Sequence, residues 1–265
     1  MKHNQVRKYW NENADTWTHL SRAGYDTYRD HLNTPAFLDM LPDIPNLNGL
    51  DIGCGEGSNT RLLVEKGASL TAIDIADVFV RHAHRENTAR GLEILSLNAS
   101  AVELPFRSSC FDFATAFMSL MDIAETDQVL SEAFRVLKPG GFLQFSISHP
   151  CFDTPHRKNL RDENRLTYAY EVGDYFRELN GEISSWLFSA APPEAKEGLE
   201  PFLIPRFTRT LSRWINLLIE TGFQIEQLME PYPTDEVVAE HPNLQDAQVV
   251  AYFLIIRVRK PAGGN

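Results

Sequence analysis

Apolar and polar positions alternate along the middle of the chain so as to predict strands and helices by turns. Leu47 to Gly53 is a short apolar run ending in glycines, as a buried strand does before a tight turn. Ser58 to Lys66 carries Leu62 and Leu63 on one side and stops at Gly67, which predicts a helix. Ser69 to Ile75 predicts a second strand with an acid, Asp74, at its end. A polar helical stretch from Asp77 to Arg90 stops at Gly91, and Leu92 to Leu97 predicts a third strand. Cys110 to Phe117 predicts a fourth. Val129, Leu130, Ala133, Phe134 and Leu137 then recur at helical spacing between Thr126 and Leu137, and Pro139-Gly140-Gly141 closes that helix before a fifth strand, Phe142 to Ser148. Such alternation implies right-handed crossovers and a parallel sheet covered on both faces.

Outside this stretch the pattern changes. The first forty residues interleave aromatics with polar residues and read as helices. From His149 to about Phe207 no period is sustained, and six prolines punctuate a segment rich in aromatics. Segments of that length without regular structure are usually lids or binding loops. Regularity returns in a helix from Thr208 to Thr221, followed by strands at Phe223 to Leu228 and Gln248 to Arg257, the latter apolar on both faces and therefore central. The expected fold is α/β: a Rossmann-like, doubly wound seven-stranded sheet, mostly parallel with one antiparallel strand.

Composition narrows the class. At 265 residues with 43% hydrophobic, the chain suits one domain with a full core. It has no apolar run of membrane-spanning length and no signal-peptide pattern at Met1-Lys2-His3-Asn4-Gln5, so a cytoplasmic location is expected. Three cysteines without C-x-x-C spacing suggest neither a disulfide framework nor a metal site. A formal net charge of −11 repels polyanions, which argues against nucleic acid and anionic membranes as partners. The two short basic clusters, Arg206-Phe207-Thr208-Arg209 and Arg257-Val258-Arg259-Lys260, read as solvated surface charge.

The strongest chemical signal is Gly49-Leu50-Asp51-Ile52-Gly53-Cys54-Gly55-Glu56-Gly57 at the first strand-to-helix turn. Alternate glycines let a ligand lie directly on the main chain, at the edge where doubly wound sheets bind. The spacing is G-x-G-x-G, whereas hydride-transfer folds prefer G-x-G-x-x-G. Asp74 stands where a carboxylate can accept both hydroxyls of a ribose, which suits NAD as well as an adenosyl ligand.

The turn resembles motif I of the class I S-adenosylmethionine-dependent methyltransferases. Two downstream segments resemble the ubiquinone-biosynthesis-type (methyltransferase type 11) branch: Leu104-Pro105-Phe106 followed by Cys110-Phe111-Asp112-Phe113, and Arg135-Val136-Leu137-Lys138-Pro139-Gly140-Gly141. The resemblance implies S-adenosylmethionine as cofactor, S-adenosylhomocysteine as product, and Asp51, Gly53, Gly55, Gly57 and Asp74 as cofactor-binding residues. It also implies Ile75 against the adenine and the backbone of Phe117 and Met118 near the sulfonium. One departure stands out: the family's acid before the alanine that precedes L-P-F is Ser100 here, which leaves adenine recognition to Ser100, the backbone of Ala101, and Asn98. The implied organisation is one domain, with a helical cover (1–46), a cofactor-binding core (47–148), a substrate-lid insertion (149–207), and a closing helix and strand hairpin (208–260).

Methyl transfer from a sulfonium requires a base only if the nucleophile must lose a proton. His149, leaving the fifth strand, and Asp122, just after the fourth, are the candidates. Tyr9, Trp10, Tyr28, Tyr175, Phe176 and Trp186 are the aromatic candidates for walls of an acceptor pocket. The expected function is methylation of a small molecule. The alternatives are a nicotinamide-dependent oxidoreductase and a non-catalytic S-adenosylmethionine-binding protein. Neither the acceptor nor the oligomeric state is legible.

Overall fold

The computed structural model describes residues 1–263. The chain begins with a long helix, α1 (His3–Arg22), then one π-helical turn at Arg29–Asn33 that runs directly into α2 (Thr34–Met40). The alternating core follows: β1 (Asn48–Ile52), α3 (Ser58–Glu65), β2 (Ser69–Asp74), α4 (Asp77–Ala89), β3 (Leu95–Asn98), β4 (Phe111–Phe117), α5 (Thr126–Val136) and β5 (Leu137–Ser148). Strand β5 starts five residues earlier than the apolar run predicts. Lys138-Pro139-Gly140-Gly141 lies within it rather than closing the helix, because α5 ends abruptly when Leu137 turns to ψ 138°.

The insertion is a correction to the sequence reading. It is folded, as two antiparallel hairpins: β6 (His156–Arg161) with β7 (Thr167–Gly173), and β8 (Asn180–Trp186) with β9 (Phe202–Phe207), the short α6 (Pro193–Lys196) lying between β8 and β9. β6 and β8 are mostly exposed on both faces and so lack the apolar alternation that marks a strand in sequence, while β9 is largely buried. The chain then closes with α7 (Leu211–Thr221), β10 (Gln224–Met229), α8 (Asp235–Glu240), a 3-10 turn at Pro242–Gln248, and β11 (Phe253–Arg259). Helix α7 begins where the Thr210 hydroxyl accepts from the N–H of Arg213.

The main sheet has seven strands in the order β10-β11-β5-β4-β1-β2-β3, all parallel but β11, which runs antiparallel to both neighbours. Burial on both faces explains the continuous apolar runs of β4 and β11. One face buries Val129, Leu130 and Ala133 of α5 with Trp214, Leu217 and Leu218 of α7. The opposite face buries Phe37 and Met40 of α2 with Leu63 of α3. The order reverses between β1 and β4, which opens a crevice beyond their carboxyl ends.

Helix α1 and the second hairpin pack against each other. Leu20, Phe188, Phe202 and Ile204 form a small core, with Trp17 4.9 Å from Phe188 and 4.8 Å from Phe202 between ring centroids. Asn13 completes the joint by donating to the carbonyl of Leu203 (3.0 Å) and accepting from its N–H (3.1 Å), which satisfies one residue of the open β9 edge as a partner strand would.

Candidate active site

The turn after β1 is held by main-chain bonds to β2 and by one of its own side chains, Glu56. The N–H groups of Gly53 and Cys54 both donate to the carbonyl of Ile73 at 2.9 Å, which ties the turn to β2. Gly53 sits at φ 73°, and an added Cβ would lie 2.4 Å from that of Ser119. Gly55, at φ 55°, is open: a Cβ there would meet nothing within 4 Å. Glu56 anchors the turn from below, with Arg61 and Arg22 each 2.9 Å from its Oε2 and the Ser58 N–H donating to Oε1. Burial works against its charge, but these partners hold its pKa down to about 2.

Two buried aspartates flank the turn. Asp51 accepts from the hydroxyls of Thr60 (2.6 Å) and Thr115 (3.1 Å). Asp74 accepts from the N–H of Gly55 (2.9 Å) on one oxygen and of Ala76 (2.8 Å) on the other. Burial pushes both carboxyls up to about 6, the hydrogen bonds opposing it. Each Asp74 oxygen keeps a lone pair, so the group can still receive two hydroxyls. Asn98 does not reach the cavity; its amide donates to the carbonyls of Asp74 (3.0 Å) and Ile75 (2.8 Å) and so fixes the end of β2. Opposite, Met118 holds a φ of 51°, a strained position for a residue with a side chain, its N–H donating to the carbonyl of Ser146.

These groups open into a cavity of about 1110 Å³. That exceeds the roughly 300–1,000 Å³ usual for one small ligand, so there is room for two. Of the expected cofactor residues, Asp51, Gly53, Gly55, Asp74, Ile75, Ser100, Ala101, Phe117 and Met118 line it. Gly57 and Asn98 stand outside the lining: Gly57 caps α3 at φ 86°, where a Cβ would press on Arg61 and Ala83. Trp10, Tyr28 and Trp186 line the cavity as expected. Tyr9, Tyr175 and Phe176 do not; Tyr175 accepts from the N–H of Leu211, and Phe176 is 85% exposed.

The two candidate bases separate clearly. Asp122 lines the cavity and its carboxyl makes no hydrogen bond among the described residues; burial, with Asp153 nearby and Arg206 opposing, pushes it up to about 8. His149 is not in the lining and both its ring nitrogens are engaged. Nδ1 accepts from the N–H of Cys151 (3.2 Å), which leaves the proton on Nε2, 2.8 Å from Glu230. Its basicity is lowered by burial, against the pull of Glu230. His149→Ala is therefore expected to lower stability by about 1–3 kcal/mol, as for a buried hydrogen-bonded group, while S-adenosylhomocysteine affinity stays within twofold. Thermal melts and calorimetry on the same samples check this; an unchanged melt with slower turnover would return His149 to the list of bases.

The sequence reading missed Glu56, Ser119, Asn33, Tyr252 and a group of arginines in the cavity wall. Arg206 and Arg209, expected as solvated surface charge, belong to that wall, Arg209 with its guanidinium 5.5 Å from the Trp214 ring centroid. Tyr252 stacks on Tyr28 at 4.9 Å and bonds Tyr170 of β7, tying the first hairpin to the sheet.

A sheet with one reversed strand, a glycine turn opening onto a cavity, and a buried acid after β2 are the parts of a nucleotide-binding α/β core. Residues 50–145 match the family described as a methyltransferase domain. A crystal structure of an S-adenosylmethionine-dependent methyltransferase from Mesorhizobium loti superposes with a TM-score of 0.68 at 25% identity, covering 85% of this chain and 96% of that one. A demethylmenaquinone methyltransferase of Thermus thermophilus is 38% identical over 36% of this chain and 44% of its own length, so the likeness spans under half of that relative. An uncharacterized protein of Haemophilus influenzae is 27% identical over 97% of this chain and 98% of its own. The chain thus carries a methyltransferase domain over residues 50–145 and is similar over most of its length to S-adenosylmethionine-dependent methyltransferases, with S-adenosylmethionine as its cofactor.

Proposed function

We propose that this enzyme methylates a small molecule held in the second part of the same cavity, with Asp122 receiving the acceptor's proton. The observation that supports this reading is the continuity of the cavity from Gly55 and Asp74 to Asp122 and the insertion. The cofactor supplies a methyl group already on a good leaving group. What remains for the chain is to bind, orient and exclude water. Asp74 and the main chain at Gly53 and Gly55 bind, with Ile75, Ser100 and Ala101 beside them. Trp10, Tyr28 and Trp186 wall the acceptor, and α1 with the hairpins of the insertion acts as the lid. Among the described residues no helix is long and apolar enough to cross a membrane, and Cys54, Cys110 and Cys151 are free thiols. A small acceptor met in the cytoplasm fits both, and the acidity of the chain disfavours nucleic acid.

The test is calorimetric titration with S-adenosylmethionine, S-adenosylhomocysteine and NAD, followed by an acceptor screen for methyl release. Saturable binding of the adenosyl ligands and turnover with a small acceptor are expected. Preference for NAD, or adenosyl binding with no turnover on any acceptor, would overturn the reading. Asp74→Ala should weaken S-adenosylhomocysteine by about 1–3 kcal/mol, the loss of a charged acceptor to two hydroxyls. Because the Asp74 carboxyl titrates near 6, wild-type affinity should also fall as pH drops below 6, and Asp74→Ala should lose that fall. Affinity that is flat from pH 5 to 8 would remove Asp74 from the ribose site.

A further inference from the structure

The wall that the insertion contributes to the cavity is basic, in a chain whose overall charge is −11. We infer that the methyl acceptor carries an anionic group, a carboxylate or a phosphate, which binds the arginines presented by β6, by the turn after it and by β9. The inference deepens the function proposed above and rests on it.

Strand geometry places the first of these side chains. Arg157, Asn159 and Arg161 alternate along β6, so they share one face of the hairpin, and all three line the cavity. Arg165 follows in the turn between β6 and β7, and Arg206 and Arg209 come from β9 and the residues just after it; these three line the cavity as well. A single hairpin face and its neighbour therefore bring five guanidiniums to one surface.

Their charge is not cancelled by the carboxylates beside them. Asp153 lies 2.8 Å from Arg206 and 3.1 Å from Arg157, so one acid faces two cations. Asp246, 3.7 Å from Arg161, offsets one further charge while its oxygens also accept from Asn159 (2.6 Å), Thr167 (3.1 Å) and Tyr252 (3.1 Å), so two carboxylates stand beside five guanidiniums. Arg165 makes no ion pair among the described residues. Arg209 spends one nitrogen, Nη2, on the carbonyls of Ile123 (3.2 Å) and Ala124 (2.8 Å), while its Nη1 has no partner among the described residues. Asp122 adds no charge at neutral pH, since burial pushes its carboxyl up to about 8. The remaining acids of the lining are placed elsewhere: Asp51, Glu56 and Asp74 around the glycine turn, and Asp26 beside Arg29.

A concave, partly dry surface focuses such a field and raises the local concentration of anions. Guanidiniums match carboxylate and phosphate oxygens in pairs, which fixes orientation as well as charge. The aromatic side chains of Trp17, Trp186 and Phe188 line the same cavity. They favour an acceptor with a flat apolar body bearing the anion at one end.

The probes are three molecules sharing one body: 2-naphthoate, 2-naphthyl phosphate and 2-naphthalenemethanol. Each is titrated calorimetrically into the 265-residue chain saturated with S-adenosylhomocysteine. At least one anion should bind tenfold or more tighter than the alcohol, and which anion wins separates a carboxylate acceptor from a phosphate. Raising the salt should shrink the preference. Arg157→Gln combined with Arg165→Asn should reduce the preference at least fivefold without moving S-adenosylhomocysteine affinity. Arg165→Asn alone guards against misfolding, because it sits at an exposed turn with φ 66°, which Asn tolerates well; it should give a smaller loss in the same direction. The inference is overturned if the alcohol binds as tightly as both anions, if neither anion saturates at millimolar concentration, or if the preference survives both variants. Failure of S-adenosylhomocysteine to bind would instead sink the methyltransferase reading, and the same three titrations on the protein alone would still decide the charge preference.

Discussion

Gly53→Ala is expected to abolish measurable binding of S-adenosylhomocysteine and to lower the melting temperature by roughly 5–15 °C. Two effects combine. The residue sits at φ 73°, where a side chain costs roughly 1–2 kcal/mol. Its new Cβ would also lie 2.4 Å from the Cβ of Ser119, an overlap that the structure relieves only by moving main chain, at roughly 1–3 kcal/mol. For a chain of this size each kcal/mol lowers the melting temperature by roughly 2–4 °C. Ser119 cannot simply step aside, because its hydroxyl donates to the carbonyl of Ile52 at 2.6 Å, at the end of β1. The displaced segment is the one that carries the two N–H groups bound to Ile73, so the bend itself is lost and with it the surface proposed to carry the cofactor.

Gly55→Ala supplies the contrast. Nothing of the protein lies within 4 Å of the added Cβ, and only the strain of φ 55° remains, so the melt should shift by a few degrees at most. Its effect on the cofactor should nevertheless be large, since the open space in front of Gly55 is the cavity itself. Melting curves and calorimetry on the two variants therefore separate a glycine needed for packing from one needed for ligand approach. Ser119→Gly placed in the Gly53→Ala background should recover part of the melt by removing the clash, and a double-mutant cycle measures how much. If Gly53→Ala binds S-adenosylhomocysteine within threefold of wild type, the turn is not the cofactor's platform.

What could be read from the sequence follows from where burial writes a pattern. β1, β4, β5 and β11 are buried on both faces, so their apolar runs stand out, and α5 and α7 show a clean stripe because one side packs on the sheet. The positions of the glycine turn and Asp74 at the cavity were legible because a turn open to a ligand and an acid at the end of β2 call for those residue types at that spacing. The insertion was not. β6 and β8 are largely exposed on both faces and are held by backbone pairing, by the tyrosine contact between Tyr170 and Tyr252, and by Asn13 at the β9 edge, none of which leaves a periodic trace. Arg206 and Arg209 looked like surface charge for the same reason: only the folded hairpin turns them toward a cavity. In the sequence His149 stands ahead of Asp122 as a candidate, although both are polar residues just past a strand end. Hydrogen bonding separates them, since Cys151 and Glu230 occupy the imidazole while the Asp122 carboxyl is left free.

Asp122→Asn is expected to slow methyl transfer by about 100-fold or more at neutral pH, the usual loss when a positioned base is removed, while S-adenosylhomocysteine affinity stays within threefold. The group is suited to the task because burial first, and the nearby Asp153 second, raise its carboxyl to about 8 against the opposing Arg206. Wild-type turnover should therefore rise with pH through about 8 as the carboxylate forms, and the Asn variant should show no such inflection. Stability offers a readout that needs no acceptor. A carboxyl whose folded pKa lies above its unfolded value of 3.8 favours the folded state fully at low pH, and that contribution is lost as pH rises from about 4 through 8. The wild-type melting temperature should then decline more steeply over this window than that of Asp122→Asn, which cannot ionise. Asp26, Asp51 and Asp74, also raised to about 6, bend both curves alike, so the difference between the two proteins isolates Asp122. Parallel melting curves from pH 5 to 8.5 would mean that the carboxyl is ordinary, and a variant with undiminished turnover would leave the proton with the acceptor or with solvent.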